Sequence, residues 1–184
     1  MQVFTDIDND AVVNLLRAGA IGVLRTDTLY GVVGLADNQQ VVERIYDVKN
    51  RSLDKSSIIL INTLDQLYQT PTIENKAFLN NKWPGPVSII LPTTTAPEWL
   101  IRDNESLAYR MPNNDKLRSL IAQVGRLIAP SANPEGQSPA KTLQEAIDYF
   151  GDSVDFYVDG GLVESLQPSQ LIRLSSDGQQ ERLR

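Results

Sequence analysis

Three cations within seven positions are the most chemically informative part of this chain: Lys49, Arg51 and Lys55. They follow a segment whose apolar residues have helical spacing, and they precede the apolar run 57–61. Several fixed positive charges at such a junction suit a polyphosphate, whose oxygens they neutralise. A second interpretation stays open here, because basic residues at a helix C-terminus are also favoured by the helix dipole and by water.

Two loops and one arginine supply further polar groups. Residues 25–31 form a turn rich in hydroxyls after an apolar strand, a position where ligands gather in α/β folds. Residues 130–139 combine three prolines and a glycine with Ser131, Asn133 and Ser138, which predicts a preorganised polar wall. Both loops also fit plain structured turns. Arg110 ends a predicted strand, where it would either hold a carboxylate bidentately or form an ion pair at a rim.

The composition excludes several kinds of chemistry. The 184 residues include no cysteine and no histidine, and the net charge is −6. Thiolate nucleophiles, Cys/His zinc sites, Ser-His-Asp triads and imidazole bases are therefore ruled out. The acidic charge argues against nonspecific coating of nucleic acid, although a local basic groove is compatible with it. With no membrane-length apolar run and no leader pattern, we expect a cytoplasmic protein.

Helical and strand patterns alternate along the chain, which predicts one α/β domain over residues 1–184 with a twisted mixed sheet flanked by helices. Helices are predicted at 8–18, 38–49, 64–68, 73–81, 115–124 and 142–150. Strands are predicted at 20–24, 57–61, 87–91, 107–110, 126–129, 156–158 and 171–174, with a terminal strand after the turn 176–178.

Read together, six short motifs in this order resemble the YrdC/TsaC-type family of threonylcarbamoyl-AMP synthases, in its short, single-domain form. They are Thr-Asp-Thr-Leu-Tyr-Gly at 26–31, Lys-Asn-Arg at 49–51, Trp-Pro-Gly-Pro at 83–86, Arg-Met-Pro at 110–112, Ser-Ala-Asn at 131–133, and Gly-Gly with Pro-Ser at 160–161 and 168–169. Two positions depart from the family pattern. Arg25 stands where proline is usual, and Gln170 where threonine usually follows Pro-Ser.

The resemblance implies a YrdC-like fold with a concave central cleft and a nucleotidyltransferase activity. L-threonine, bicarbonate and ATP would give threonylcarbamoyl-AMP and pyrophosphate. The product would pass to the other tRNA threonylcarbamoyl-transfer proteins, for modification of adenosine-37 in tRNAs that read ANN codons. The reaction needs charge neutralisation and in-line positioning more than an imidazole base.

The resemblance also implies roles for individual residues. Lys49 and Arg51 would be catalytic and would bind the ATP phosphates. The remaining ATP contacts would be Lys55, Ser131, Asn133 and Ser138, and the threonine contacts would be Thr28, Arg110 and Ser169. Mg²⁺ would arrive on ATP, since no dedicated carboxylate cage is evident in the sequence.

Two rival interpretations come from the same fold. One is a module that binds double-stranded RNA or tRNA in the concave surface, which the acidic composition disfavours. The other is a carbamoyl-adenylating domain of the hydrogenase-maturation type, whose long chains carry Cys clusters that this sequence lacks.

Overall fold

The computed structural model describes residues 1–52, 55–101 and 105–184. Within these ranges the chain forms ten strands, six α-helices and two short 3₁₀ turns. The strands are β1 (Gln2–Phe4), β2 (Gly22–Arg25), β3 (Tyr30–Leu35), β4 (Ile58–Leu60), β5 (Val87–Pro92), β6 (Ser106–Arg110), β7 (Leu127–Ile128), β8 (Phe156–Val158), β9 (Gln170–Leu174) and β10 (Gln180–Arg182). The helices are α1 (Asp10–Arg17), α2 (Gln39–Val48), α3 (Ile73–Lys82), α4 (Glu98–Ile101), α5 (Asp115–Val124) and α6 (Leu143–Phe150), and the 3₁₀ turns are Leu64–Gln66 and Gly151–Ser153.

Helix starts follow the capping signals in the sequence. The side chains of Asn38 and Thr142 cap α2 and α6, as predicted, by accepting hydrogen bonds from backbone N–H groups of the first turn. Helix α1 begins later than predicted, since the Asn9 side chain, rather than Asp8, accepts from Ala11 N at 2.9 Å. The helix predicted at 64–68 is only a single 3₁₀ turn.

The ten strands form one mixed sheet in the order β1-β8-β2-β3-β7-β4-β6-β5-β9-β10. The pairs β1–β8, β8–β2, β4–β6 and β5–β9 are parallel, and the others are antiparallel. The predicted mixed sheet flanked by helices is thus confirmed. Strands β1 and β3 and helix α4 were not predicted.

Side chains alternate between the two faces of the central strands, as the period of a strand requires. On β2, Val23 packs in one hydrophobic cluster and Leu24 in the other; on β4, Ile59 and Leu60 are divided in the same way. Helices α1 and α5 cover the face of Leu24 and Leu60, while α2 and α6 cover the opposite face. The sheet therefore has a core on each side.

Helix α2 approaches the sheet closely at Gly34 on β3. A Cβ atom at Gly34 would lie 2.4 Å from Val41 Cγ1 on α2 and 3.1 Å from Ile45 Cδ1. Such distances leave no room for a side chain. Because Lys49 is the C-cap of α2, this close packing sets the position of the cationic segment that follows.

None of the helices in the described ranges has the length and apolar character needed to cross a membrane.

Candidate active site

A cavity of about 560 Å³ lies over strands β4, β6, β5 and β9. Its floor is formed by residues that lie side by side in the sheet register: Ile58 is opposite Ala108, and Ala108 is opposite Ile90. The volume is within the usual range for small-molecule sites. The walls come from the three polar segments that the sequence analysis predicted to be functional, through residues within 26–31, through Arg51, Ser56 and Ser57, and through residues within 129–139. Residues near the end of the chain complete the walls.

The cavity is strongly cationic in an acidic protein. Four arginines line it: Arg51, Arg110, Arg173 and Arg184. No Asp or Glu is among the lining residues in the described part of the chain. Since the whole chain carries a net charge of −6, the positive lining is a local arrangement. It favours an anionic ligand with several charges.

The loop before β3 holds a buried ion pair at the base of the cavity. Arg110 and Asp27 are both almost fully buried, and Arg110 Nη2 lies 3.2 Å from Asp27 Oδ1. The same nitrogen donates to Thr26 Oγ1 at 3.2 Å, and Asn113 N donates to Asp27 Oδ2 at 3.1 Å. The two charges compensate each other out of water, which is the condition under which a buried pair is tolerated.

Arg110 nevertheless keeps a free donor. Its Nε is buried and makes no hydrogen bond within the described residues, although the side chain lines the cavity. An unpaired buried donor costs about 1–3 kcal/mol, and a ligand carboxylate would remove that cost. Thr28 also lines the cavity, with its Oγ1 3.3 Å from Thr26 Oγ1.

The Trp-Pro-Gly-Pro turn supports this part of the site from below. Gly85 N donates to Met111 O at 2.9 Å, directly after Arg110, and the Trp83–Pro84 peptide is cis. A Cβ at Gly85 would lie 2.6 Å from Lys82 O, a backbone atom that cannot move aside. Glycine is therefore required for the turn to reach this close to the end of β6.

Lys49 is buried behind the cavity wall rather than in it. Only 2% of the residue is exposed, and its Nζ donates to the carbonyl oxygens of Ser131 and Asn133. Its own carbonyl accepts from Glu135 N at 2.8 Å. Lys49 thus joins the helix α2 end to the 130–139 loop, and it is not among the residues that line the cavity.

Burial lowers the pKa of Lys49 to about 7, with the nearby Arg51 charge acting in the same direction and Glu135 against it. Desolvation disfavours the ammonium, and a like charge adds to that effect. A second anion close to this amine would restore its proton. The site therefore contains a cation whose charge responds to ligand charge.

Arg51 and Lys55 differ in whether their side chains face the cavity. Arg51 lines the cavity, donates through Nη2 to Ser56 O at 3.0 Å and through Nε to Lys55 O at 3.2 Å, and lies 5.8 Å from the Tyr46 ring centroid. Lys55 forms an ion pair with Glu135 and does not line the cavity. Lys55 is also the main cause of the lowered pKa of Glu135.

The Ser-Ala-Asn loop is closed by its own hydrogen bonds. Ser131 Oγ donates to Asn133 Oδ1 at 2.6 Å, and Asn133 Nδ2 donates to the carbonyls of Pro134 and Gln137, both at 2.9 Å. Ala132 N donates to Tyr30 O at 2.7 Å, which attaches the loop to β3. Ser131 lines the cavity, whereas Asn133 and the predicted ATP contact Ser138 do not.

At the other end of the cavity, Ser169 is 2% exposed and its Oγ lies 2.8 Å from Ser88 Oγ. Arg184 Nε donates to Ser169 O at 3.1 Å. Arg173 on β9 pairs with Glu181 on β10, with Nη1 2.7 Å from Oε2. Neither Arg173 nor Arg184 was predicted as a site residue, because nothing in the local sequence marks an arginine on a C-terminal hairpin as facing a site formed elsewhere.

The two departures from the family pattern lie outside the cavity lining. Arg25 Nη1 donates to Gly160 O at 2.8 Å, and its stem packs so closely on Gly160 that a Cβ there would lie 2.3 Å from Arg25 Cβ. Gln170 is exposed, and its N–H donates to Pro86 O at 2.9 Å. Arg25 therefore holds the Gly160–Gly161 turn in place.

Of the nine predicted site residues, five line the cavity and four lie behind or beside its wall. The lining group is Thr28, Arg51, Arg110, Ser131 and Ser169, and the other group is Lys49, Lys55, Asn133 and Ser138. No cluster of three or more Asp, Glu, His or Cys side chains suited to a metal ion occurs in the described ranges.

Known proteins resemble this chain over most of its length. A family model described as "Telomere recombination" and named for Sua5, YciO and YrdC matches residues 14–184. The threonylcarbamoyl-AMP synthase of Pseudomonas fluorescens (strain Pf0-1) is 33% identical over 162 residues, covering 86% of this chain and 87% of that protein.

Solved structures show the same fold. P. abyssi Sua5 complexed with L-threonine matches with a TM-score of 0.84 and 25% identity over 94% of this chain, which spans about half (54%) of that longer protein. E. coli YciO matches with a TM-score of 0.84 over 100% of this chain and 92% of its own, at 21% identity, which concerns the fold alone. The chain belongs to the Sua5/YciO/YrdC family.

Proposed function

We propose that this protein is an L-threonylcarbamoyl-AMP synthase, a nucleotidyltransferase that joins L-threonine, bicarbonate and ATP. The observation that carries the proposal is the cavity lined by four arginines and no described carboxylate. A triphosphate and an amino-acid carboxylate are both anionic, and this lining suits both at once. The relatives named as threonylcarbamoyl-AMP synthases support the same reaction.

The threonine carboxylate binds at the base of the cavity. The Arg110 side chain lines the cavity there, while Asp27 and Thr26 hold its Nη2. Thr28 and Ser169 add hydroxyl groups to the same cavity. Threonine bound to P. abyssi Sua5 is consistent with an amino-acid subsite in this fold.

The ATP phosphates bind near Arg51 and the 130–139 loop. Arg51 and Ser131 both line the cavity, and guanidinium groups suit phosphate oxygens through paired N–H donors. Lys49 adds a positive charge behind Ser131, and Lys55 and Asn133 hold the loop rather than the nucleotide. Arg173 and Arg184 place further charge at the opposite side. Mg²⁺ enters as the counter-ion of ATP.

The chemistry then proceeds by substitution at phosphorus. The threonine amine combines with bicarbonate to give N-carboxy-threonine and water. A carboxylate oxygen of that group attacks the α-phosphorus of ATP, the bond to the bridging oxygen breaks, and pyrophosphate leaves. The arginines offset the negative charge that develops on the phosphoryl and leaving oxygens, the principal contribution available to a protein without histidine.

The product, threonylcarbamoyl-AMP, passes to the proteins that modify adenosine-37 of tRNAs reading ANN codons. We expect the reaction to take place in the cytoplasm, where ATP and tRNA are present.

The test is direct product detection. The purified protein is incubated with ATP, Mg²⁺, bicarbonate and L-threonine, while pyrophosphate release and the mass of threonylcarbamoyl-AMP are followed. We expect threonine-dependent release of both products. Arg51→Gln and Lys49→Ala are expected to lose at least tenfold, since each removes a charge near the phosphates.

Arg17→Gln is the matched control, because Arg17 is exposed on α1 and its Nη2 donates to Gln123 O at 2.8 Å, away from the cavity. Its activity is expected to equal that of the wild type. ATP binding without any adduct would reject the synthase proposal and favour the RNA-binding alternative, which a titration with double-stranded RNA at several salt concentrations then examines.

A further inference from the structure

The hydroxyl groups of Ser88 and Ser169 form an isolated buried pair at the edge of the cavity. Ser88 on β5 is 0% exposed and Ser169 2% exposed, and their Oγ atoms are 2.8 Å apart. The backbone fixes both residues, because β5 pairs with β9 and Gln170 N donates to Pro86 O at 2.9 Å. Ser169 lines the cavity, whereas Ser88 does not.

The pair lies next to Arg110. In the antiparallel register of β5 and β6, Ile90 is opposite Ala108 and Ile89 is opposite Tyr109. The pairing of the two strands ends at Ile89 and Tyr109, so Ser88 and Arg110 are each the next residue beyond the last pair. Strand β5, which carries Ser88, lies between β6, which ends at Arg110, and β9, which begins directly after Ser169.

The number of hydroxyl protons and available acceptors shows which serine donates in the bond between Ser88 and Ser169. Each hydroxyl has one proton to donate and can accept two bonds. Within the described residues, the only hydrogen bond of the Ser88 hydroxyl is the one with Ser169 Oγ. If Ser169 donated, the Ser88 proton would be buried without an acceptor, which is unfavourable. Ser88 is therefore the donor, and the Ser169 proton is left for the cavity.

We propose that Ser88 is a positioning residue for the amino-acid subsite: it donates to Ser169 and thereby directs the Ser169 hydroxyl proton at the carboxylate held by Arg110. This inference rests on the proposed function, since the carboxylate is that of L-threonine. Ser88 does not touch the substrate and acts only through Ser169.

The test is a double-mutant cycle with Ser88→Ala, Ser169→Ala and the double variant. The KM for L-threonine is measured at saturating ATP and bicarbonate, and L-threonine binding is measured by calorimetry on the same proteins. We expect Ser88→Ala to raise the KM and the Kd for threonine about threefold to tenfold, as one lost hydrogen bond implies. The KM for ATP and kcat are expected to stay within about twofold of the wild type.

The cycle separates positioning from packing. In the Ser169→Ala background, Ser88→Ala is expected to have no further effect on threonine binding, because the hydroxyl it orients is absent. Ser88→Thr, which keeps a donor hydroxyl, is expected to restore most of the affinity. Thr93→Val is the matched control: Thr93 is a 2% exposed hydroxyl residue just beyond β5 and outside the lining, and this variant is expected to bind threonine normally.

Unchanged threonine binding in Ser88→Ala, or additive effects in the double variant, would overturn the inference. Calorimetry measures threonine binding without requiring catalysis, so it tests the role of Ser88 separately from the proposed function. If the Kd values for threonine change among the variants as expected but no threonylcarbamoyl-AMP forms, the role of Ser88 is supported and the synthase activity is rejected. Absence of threonine binding in the wild type would reject both.

Discussion

Among the described residues, the side-chain nitrogen of Lys49 is bonded to two neutral carbonyl groups and to no carboxylate. Burial and the neighbouring Arg51 lower its pKa to about 7, so at pH 8 the free protein holds this amine mainly uncharged. A triphosphate in the cavity favours the charged form. The residue therefore couples nucleotide binding to proton uptake.

We predict that ATP binding at pH 8 takes up a proton through Lys49. The enthalpy of binding, measured by calorimetry in buffers of different ionisation enthalpy, is expected to vary with the buffer in the wild type. Lys49→Met is expected to remove most of that variation. At pH 6 the uptake by Lys49 disappears, since the pH is then below its pKa of about 7 and the amine is already charged. Equal buffer dependence in the two proteins at pH 8 would contradict the prediction.

Arg173 and Glu181 form an exposed cross-strand pair at the mouth of the cavity, with both side chains more than half exposed. Exposed pairs contribute at most about 1 kcal/mol. A polyphosphate oxygen with greater charge therefore competes well for the same guanidinium. Glu181 then competes with the nucleotide for the guanidinium group of Arg173.

We predict opposite effects for the two partners. Arg173→Gln is expected to raise the KM for ATP about threefold to tenfold, whereas Glu181→Gln lowers it by up to about fivefold. Arg182→Gln is the control for charge, because Arg182 is one residue further along β10 and outside the cavity lining. Parallel shifts in KM for Arg173→Gln and Arg182→Gln would indicate a general charge effect instead.

At the scale of elements, the distance between α2 and β3 sets the position of the cationic segment. A Cβ added at Gly34 would lie 2.4 Å from Val41 Cγ1 on α2. Any side chain at Gly34 must push the helix outward, and the segment that follows the helix moves with it.

We predict that Gly34→Ala destabilises the protein by about 1–3 kcal/mol, the usual cost of overpacking. For a chain of this size the Tm is expected to fall by about 2–4 °C per kcal/mol. Val41→Ala removes the methyl group that the new Cβ meets, so Gly34→Ala is expected to cost less in a Val41→Ala background. Thermal melts of the four proteins check this, and purely additive losses would show that the contact is not the cause.

The helices and strands that were predicted correctly are those with clear signals in the local sequence. Helices α2, α5 and α6 have a polar cap followed by a regular apolar stripe, and they were predicted to within two residues. Strand β3 was missed because Tyr30–Leu35 contains two glycines and no polar alternation, and because it follows directly on a polar loop. Its pairing with β2 and β7 depends on partners that are distant in sequence.

The same distinction between local and distant signals applies to the site residues. Motif residues such as Thr28, Arg51 and Ser131 were predicted and line the cavity. Local sequence does not show which side of a loop an amine faces, so the burial of Lys49 behind Ser131 was not foreseen. Glu135 was missed as the partner of Lys55 for the same reason.

At the scale of the whole molecule, an acidic surface surrounds a basic cavity. The net charge of −6 repels an anionic substrate at a distance, whereas the four lining arginines attract it at close range. Salt screens both effects, and close contacts dominate the affinity at equilibrium. The two substrates therefore respond to salt differently, because ATP carries several charges and threonine is held by a buried arginine.

We predict that raising the salt concentration from about 50 to 500 mM weakens ATP binding more than threonine binding. The measurement is a pair of Kd values at each salt concentration, with KCl and K-glutamate compared to exclude a specific effect of chloride. A stronger salt effect on threonine than on ATP would place the polyphosphate outside the arginine-lined cavity.

The strand order has a consequence for how the protein is made. The cavity takes residues from Thr26 near the start to Arg184 at the far end, and β9 completes its floor only by pairing with β5, some eighty positions earlier. Contacts so distant in sequence form late, after the entropy of closing long loops has been overcome. A growing chain on the ribosome therefore lacks the part of the cavity formed by Leu171, Arg173 and Arg184 until the β9–β10 hairpin has emerged. We therefore expect ATP to stabilise mainly chains in which β9 has already paired with β5.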